Sequence, residues 1–202
     1  MPSTPRIAVI IGSTRKGRLA DKPAQWIEKQ AQARGDMDVD LLDLRDHPVP
    51  FFEEKGPIMR MPTENAEALR WQETLAQYDG FIFVVAEYNH SITGVLKNAL
   101  DSAYKDWCRK PFTVIGYGGT GAARAVEHLR LVAIALQMVS TSGSIHIGGG
   151  DFVAISPMGA NKPMEEIEAH LLPSAKAALD ELLWWAHATM AARTKDRDAA
   201  SV

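Results

Sequence analysis

The chain has 202 residues, of which 46% are apolar and 23% charged, and its formal net charge is −3. This composition predicts one globular domain and argues against a general nucleic-acid binder or a protein held on anionic membranes. No apolar run approaches the ~20 residues of a membrane-spanning helix, and the first residues show no secretory signal. Cys108 is the only cysteine, which excludes an intramolecular disulfide and favours a cytoplasmic location.

The first part of the chain alternates short apolar runs with segments of helical period. Residues 6–12 form a continuous β-branched run closed by glycine, which is typical of a buried parallel strand. A helix is predicted over residues 17–34, with Pro23 tolerated in its first turn, and a second strand over residues 37–44. Residues 45–62 contain four prolines and predict a long irregular connection.

The rest of the chain continues this alternation of helix and strand. The predicted helices span residues 63–78, 95–104, 122–139 and 164–192. The predicted strands span residues 80–86, 111–116 and 143–148. Thr63 is expected to cap the first of these helices. Residues 1–194 are expected to form a single domain, followed by a polar tail over residues 195–202.

Five strands alternating with helices predict a three-layer α/β fold, in which a doubly wound five-stranded parallel sheet is covered by helices on both faces. Ligands of such sheets bind beyond the carboxyl ends of the strands, where the strand order reverses. The loops after the first, third and fourth strands are therefore the place to search for a site.

The loop over residues 12–18 carries two hydroxyls, three cations and two glycines between a strand and a helix. Ser13 and Thr14 can donate hydrogen bonds, and Arg15 and Arg18 can donate charge-assisted ones. Cations at a helix N-terminus are unfavourable unless an anion answers them, so the loop predicts a phosphate site, the alternative being a solvated basic loop. The loop lacks the glycine patterns of Rossmann and Walker motifs.

The loop after the third strand holds Glu, Tyr, Asn, His and Ser in succession, which packing does not require. Tyr88 can lie against a flat ligand, and Asn89 can bond the edge of a heterocycle. Ser91 or Thr93 is expected to cap the following helix. His90 is interpreted as a hydrogen-bonded loop histidine and not as an acid or base.

The loop over residues 116–121 contains four glycines in six residues, which allow close approach of the backbone to a ligand. Tyr117 in this loop either lies in the core or faces the ligand. Elsewhere no spacing of His, Cys or carboxylates resembles a metal site, and no catalytic side chain is predicted.

Three motifs resemble the NAD(P)H-dependent FMN reductase family, whose members include quinone, azo-dye and chromate reductases. The motifs are Gly12-Ser13-x-Arg15-x-x-Arg18, Glu87-Tyr88-Asn89-His90-Ser91 followed by Gly94-x-Leu96-Lys97-Asn98-Ala99-Leu100-Asp101, and Gly118-Gly119-x-Gly121-Ala122-x-Arg124-Ala125. They occur in the family order over nearly the whole chain. The resemblance implies a flavodoxin-like fold with strand order 2-1-3-4-5, FMN as cofactor, and NADPH or NADH as co-substrate.

The resemblance also implies which residues hold FMN. Ser13, Arg15 and Arg18 correspond to the phosphate loop, residues 87–89 to the contacts of the isoalloxazine, and residues 118–119 to those of its pyrimidine side. The full set of predicted cofactor contacts is Gly12, Ser13, Thr14, Arg15, Arg18, Leu19, Glu87, Tyr88, Asn89, His90, Ser91, Gly118, Gly119 and Thr120. Two positions depart from the family, since many members have proline at Ala86 and often serine at Arg18.

The predicted function is transfer of electrons from NAD(P)H through FMN to small acceptors such as quinones, flavins, azo compounds or metal oxyanions, by a ping-pong mechanism at one shared site. Arg124 is a candidate for binding the 2′-phosphate of NADPH. One alternative is a flavodoxin-like electron carrier or redox sensor without NAD(P)H turnover, and another is a Rossmann dehydrogenase. Phe51 and Phe52, together with an apolar helix at residues 95–107, predict a homodimer or homotetramer.

Overall fold

The computed structural model describes residues 4–200, in which the strands form one parallel sheet. The strands are β1 (Arg6–Ile11), β2 (Asp38–Asp43), β3 (Gly80–Ala86), β4 (Pro111–Tyr117), β5 (Val139–Ser140) and β6 (Ile145–Ile147). Their order is β2-β1-β3-β4-β5, and β6 also pairs with β4. The predicted order 2-1-3-4-5 is therefore confirmed, with an additional short strand.

The edge position beside β4 is shared by the two short strands. β5 pairs with residues 111–112 of β4, and β6 pairs with residues 115–117. The predicted strand over residues 143–148 corresponds to β6, whereas Val139 was wrongly predicted as the end of a helix. The helix cannot extend that far because Gln137 has φ of +56°, which turns the chain back toward the sheet.

Helices cover both faces of the sheet, as predicted. They are α1 (Asp21–Gln32), α2 (Ala66–Ala76), α3 (Gly94–Asp101), α4 (Ala123–Ala135), α5 (Gly149–Ile155) and α6 (Glu168–Ala200), with a 3₁₀ turn at Met164–Glu166. One core contains buried residues of α1 and α6, including Ile27 and Leu179. The other contains residues of α2, α3 and α4, including Trp71, Leu100 and Leu129. The result is a three-layer, doubly wound arrangement.

Two helix starts differ from the sequence prediction. α1 begins at Asp21 and not at residue 17, because Gly17 has φ of +65° and belongs to the loop; Pro23 lies in the first turn, as predicted. α2 is capped by Asn65, whose side-chain oxygen accepts from the N–H groups of Glu67 and Ala68. Thr63, the predicted cap, is instead buried and bonded to Glu54.

The C-terminal segment is helical where a polar tail was predicted. α6 continues to Ala200, and Asp196 in this extension forms an ion pair with Arg109. Residues 201–202, like residues 1–3, lie outside the described part of the chain. The helix α5 was missed, because its first residues lie in a glycine-rich stretch. Within residues 4–200, no helix combines the length and the apolar composition that crossing a membrane requires.

Candidate functional site

Three loops meet at the carboxyl edge of the sheet, beyond β1, β3 and β4. The Gly12 N–H donates to the carbonyl of Val84 over 3.0 Å, and the Thr93 hydroxyl donates to the carbonyl of Gly12. The hydroxyls of Ser13 and Tyr88 lie 3.4 Å apart. The first and second loops thus touch where the strand order reverses between β1 and β3, the position where doubly wound sheets bind ligands.

The first loop, residues 12–20, presents unused hydrogen-bond donors. In the described part of the chain, none of the backbone N–H groups of residues 13–17 donates to another backbone group. The side chains of Thr14, Arg15 and Lys16 are exposed beside them. A row of free N–H groups with a hydroxyl and a guanidinium is the donor set that a phosphate requires.

Glycine at position 12 is required by the packing beneath this loop. A Cβ placed on Gly12 would lie 2.8 Å from the carbonyl oxygen of Val84 and 3.0 Å from a methyl carbon of Leu96. The backbone of the loop therefore lies directly on β3 and α3. This close approach brings the loop next to the residues that follow β3.

Arg18 takes a different position from the other cations of the loop. Its side chain is only 2% exposed, and its guanidinium donates to Asp43, to Asp21 and to the carbonyl of Ser13. Burial alone raises the pKa of Asp43, but the bonds from Arg18 and from the Arg45 N–H outweigh it and hold this pKa below its ordinary value. We therefore propose that Arg18 braces the loop from below, and that the predicted direct contact with the phosphate falls to Arg15.

The second loop contains a tight turn that is held in an unusual conformation. Tyr88 and Ser91 exchange two backbone hydrogen bonds of 2.8 and 3.0 Å, and the two residues between them have φ of +50° and +69°. Asn89 tolerates this left-handed region, whereas His90 adopts it at a conformational cost. The turn leaves the Tyr88 side chain 38% exposed at the edge of the sheet. Thr93 caps α3, as one of the two predicted alternatives stated.

Arg124 ties the second loop to the third. Its Nε donates to Glu87 over 2.6 Å, its Nη1 lies 2.8 Å from Nε2 of His90, and its Nη2 donates to the Thr120 hydroxyl over 3.2 Å. Burial raises the pKa of Glu87, but the bonds from Arg124 outweigh it and leave this pKa below its ordinary value. Arg124 is thus engaged within the protein, and Glu87 directs its carboxylate to Arg124.

The third loop is shaped by glycines and supported from the edge of the sheet. Gly118 and Gly121 have φ of +154° and +65°, and the Gly118 N–H donates to the carbonyl of Ile147 over 3.1 Å. A Cβ on Gly148 would lie 2.7 Å from the Gly121 nitrogen, so this position also requires glycine. His146 supports the same loop, with its Nδ1 2.7 Å from the carbonyl of Gly121. Neither supporting residue was predicted from the sequence.

Of the two alternatives for Tyr117, the structure shows the core. The residue ends β4, its side chain is buried, and burial raises its pKa. Exposed positions of the three loops include Thr14, Arg15, Lys16, Gly17, Tyr88, Asn89, His90, Gly119 and Thr120. The three loops therefore place exposed backbone donors, an aromatic side chain and a glycine turn together at the carboxyl edge of the sheet.

The sequence matches known proteins over most of its length. The family model for NADPH-dependent FMN reductase matches residues 5–151. An NAD(P)H-dependent FMN reductase of Schizosaccharomyces pombe is 37% identical over 137 residues, covering 67% of this chain and 68% of that protein. A 2-hydroxy-1,4-benzoquinone reductase of a Burkholderia species is 34% identical over 143 residues, covering 66% of this chain and 73% of that protein.

A solved structure supports the fold. The flavoenzyme NAD(P)H:(acceptor) oxidoreductase from Paracoccus denitrificans superposes with a TM-score of 0.65 at 24% identity, covering 88% of this chain and 97% of that chain. At this identity the likeness concerns the architecture of the chain and not its substrates.

Proposed function

The chain belongs to the NADPH-dependent FMN reductase family, and we propose that it binds FMN across the three loops and passes electrons from NAD(P)H to small acceptors such as quinones. Family membership makes the chain an oxidoreductase that uses FMN and NAD(P)H. It supports a reductase over the electron-carrier and Rossmann-dehydrogenase alternatives. The observation that carries the proposed site is the row of free N–H groups at residues 13–17 beside Arg15.

The donor set of the three loops fits FMN. We assign the phosphate to residues 13–17, where free N–H groups, the Thr14 hydroxyl and the Arg15 guanidinium are within one loop. The flavin ring is assigned to the edge formed by Tyr88 and Asn89, with its pyrimidine side toward residues 118–120. Arg124 holds these last two loops together.

For this reaction the protein mainly has to position FMN, NAD(P)H and the acceptor. When bound, FMN accepts hydride from NAD(P)H and supplies electrons to the acceptor. Tyr88 and Asn89 offer stacking and amide contacts, and both side chains are exposed to solvent. We therefore propose that acceptor choice follows shape and reduction potential, so that quinones, free flavins, azo compounds and oxidised metal ions are reduced. The benzoquinone reductase relative supports the quinone assignment.

A shared site predicts ping-pong kinetics, because NAD(P)⁺ must leave before the acceptor can enter. Initial rates of NADPH oxidation, measured at several fixed concentrations of each of two unrelated quinones, are expected to give parallel double-reciprocal lines. Intersecting lines would require a ternary complex with separate sites and would overturn the shared-site proposal. The control is an assay of the apoprotein without added FMN, in which turnover should cease.

We also propose that a second copy of the chain covers the apolar surface formed by α4 and by the long loop over residues 45–62. Phe51 in this loop is 80% exposed, and Met59 and Met61 are exposed near it. Ile134 on α4 is 70% exposed, and Leu131 is exposed one turn earlier. Monomers rarely expose this many large apolar side chains on one surface.

The exposed segment over residues 45–62 and the end of α4 lie next to each other. A cavity of about 400 Å³ is lined by Phe52 and Met59 of the loop and by Ala135 and Leu136 at the end of α4. The same loop is tied to α3, since the Phe52 N–H donates to the side chain of Asn98 over 3.1 Å. A homodimer formed through this surface would bring the long loop of one copy against the other copy.

The dimer proposal is tested by replacing both Leu131 and Ile134 with glutamate. Buried charges without partners are strongly unfavourable, so light scattering at micromolar concentration is expected to show a dimer for the original chain and a monomer for the double variant. Val153→Glu, on the exposed face of α5, is the matched control and should remain dimeric. A monomeric original chain would refute the proposal.

A further inference from the structure

Arg45 contacts the phosphate end of the site, although it was not predicted from the sequence as a site residue. It lies two residues beyond Asp43, the last residue of β2. Since β2 is next to β1 in the sheet, the end of β2 lies beside the first loop. The Arg45 side chain is exposed, and its Nη2 donates to the carbonyl of Arg15 over 2.9 Å. Arg45 is therefore bonded to the middle of the segment that carries the free N–H groups.

Asp43 anchors both arginines that bond the backbone of the first loop. Its Oδ1 accepts from the backbone N–H of Arg45 over 2.9 Å and from Nη1 of Arg18 over 2.8 Å. The same Nη1 of Arg18 donates to the carbonyl of Ser13. One carboxylate at the end of β2 thus fixes two guanidinium-bearing residues, and these bond the carbonyls of two alternate loop residues, Ser13 and Arg15.

The direction of these carbonyls decides the direction of two N–H groups. The described residues contain no cis peptide bond, and in a trans peptide the C=O and N–H of one unit point in opposite directions. The carbonyls of Ser13 and Arg15 face the guanidiniums at the end of β2. The N–H groups of the next residues, Thr14 and Lys16, therefore face away from β2. Because β1 lies between β2 and β3, this is the side of β3 and the second loop.

The peptide between Arg15 and Lys16 is held firmly in this orientation. Besides the bond from Arg45, the Arg15 carbonyl accepts from the backbone N–H of Arg18 over 3.2 Å, so both of its lone pairs are used. Rotation of this peptide would break both hydrogen bonds. A donor that is fixed before the ligand arrives loses less conformational entropy on binding than a mobile one.

We propose that Arg45 is a positioning residue of the phosphate site, which holds the Arg15 carbonyl so that the Lys16 N–H is aimed at the bound phosphate. Arg18 holds the carbonyl two residues earlier in the same way. The inference rests on the proposed function, because the phosphate is that of FMN. Arg45 acts through the loop and does not touch the ligand, since its guanidinium lies on the opposite side of the peptide from the N–H.

The test compares the affinities for FMN and riboflavin, measured by fluorescence titration, in the original chain and in Arg45→Met. The ratio of the two affinities reports the contribution of the phosphate. It is expected to fall about three- to tenfold in Arg45→Met, because one backbone donor is no longer held in place. Arg45→Lys keeps one cationic donor and should recover part of the ratio. Arg70→Met, which removes an exposed arginine of α2, is the matched control and should leave the ratio unchanged.

Two measurements separate positioning from diffuse attraction. In about 0.5 M NaCl attraction between exposed charges is largely screened, yet the difference between Arg45→Met and the original chain should persist. In the FMN-free protein, the amide resonance of Lys16 should change more in Arg45→Met than any other amide of residues 12–20, because the lost hydrogen bond polarises that peptide. A difference that disappears at high salt, or a Lys16 amide that does not change, overturns the proposal.

The original chain separates failure of this inference from failure of the proposed function. If it binds FMN no more tightly than riboflavin, the assignment of the phosphate to the first loop is wrong, and the role of Arg45 is refuted with it. If the original chain and Arg45→Met prefer FMN equally, only the role of Arg45 is refuted. The Arg45 side chain is exposed, so the variant is expected to fold, which thermal unfolding of the apoprotein checks.

Discussion

Replacing Arg15 by alanine is expected to weaken FMN binding by about one to two orders of magnitude. The Arg15 side chain is exposed beside the free N–H groups of residues 13–17, where the phosphate is assigned. A charge-assisted hydrogen bond contributes about 1.5–3 kcal/mol, which corresponds to a factor of roughly 10 to 150 in affinity. Quenching of FMN fluorescence during titration with the protein measures the effect.

Two comparisons make this result specific to the phosphate. Riboflavin has the same ring system without the phosphate, so its affinity should hardly change in Arg15→Ala. Lys16→Ala removes the neighbouring exposed charge and should weaken FMN binding less, because ammonium is a strongly hydrated point charge without the planar fork of a guanidinium. Equal losses in the two variants would show that only diffuse positive charge matters, and the assignment of Arg15 would be wrong.

Replacing Arg18 by methionine is expected to lower the free energy of unfolding by about 3 kcal/mol and the melting temperature by about 6–12 °C. The substitution leaves Asp43 and Asp21 without their guanidinium and frees the carbonyl of Ser13. The effect is placed at the lower end for a buried pair because both carboxylates keep some contact with water. Thermal unfolding of the apoprotein measures it directly.

The pH dependence of unfolding identifies the cause. Arg18 holds the pKa of Asp43 below its ordinary value, so the pair stabilises the fold at neutral pH, and this contribution is lost as the pH falls through the folded-state pKa. The difference in stability between the original chain and Arg18→Met should therefore shrink in acid. Arg18→Lys, which keeps the charge but not the fork, should recover only part of the stability. A melting temperature unchanged in Arg18→Met would refute the role as a brace.

FMN binding by Arg18→Met separates a brace from a ligand. If Arg18 acts only through the shape of the loop, Arg18→Lys should restore FMN affinity in proportion to the stability that it restores. If Arg18 touches the phosphate, FMN affinity and the preference for FMN over riboflavin should fall together even where the fold is intact. The buried position of the guanidinium predicts the first outcome.

The amino-acid sequence by itself determined the parallel sheet, and it drew attention to the three loops at one edge of that sheet. β3 is a continuous apolar run and β4 is one interrupted only by Thr113 before its terminal Tyr117; both were predicted almost to the residue, because strands buried on both faces are predominantly apolar. Alternation with helical segments then implied a parallel, doubly wound sheet. The three polar or glycine-rich loops were recognised because packing does not account for their composition. Helix ends were less accurate, since Gly17 and Gln137 act through positive φ angles and Asn65 acts through a side-chain cap.

Only the tertiary structure decided what the charged residues of the loops do. Arg18 lies 25 residues from Asp43, and Arg124 lies 37 residues from Glu87, and nothing in the linear sequence pairs them. From composition alone, an arginine beside a glycine-rich loop is equally consistent with binding a ligand and with pairing to a carboxylate. The role depends on whether folding buries the guanidinium against a carboxylate or leaves it in solvent. That outcome is set by the distances between segments that are remote in the chain.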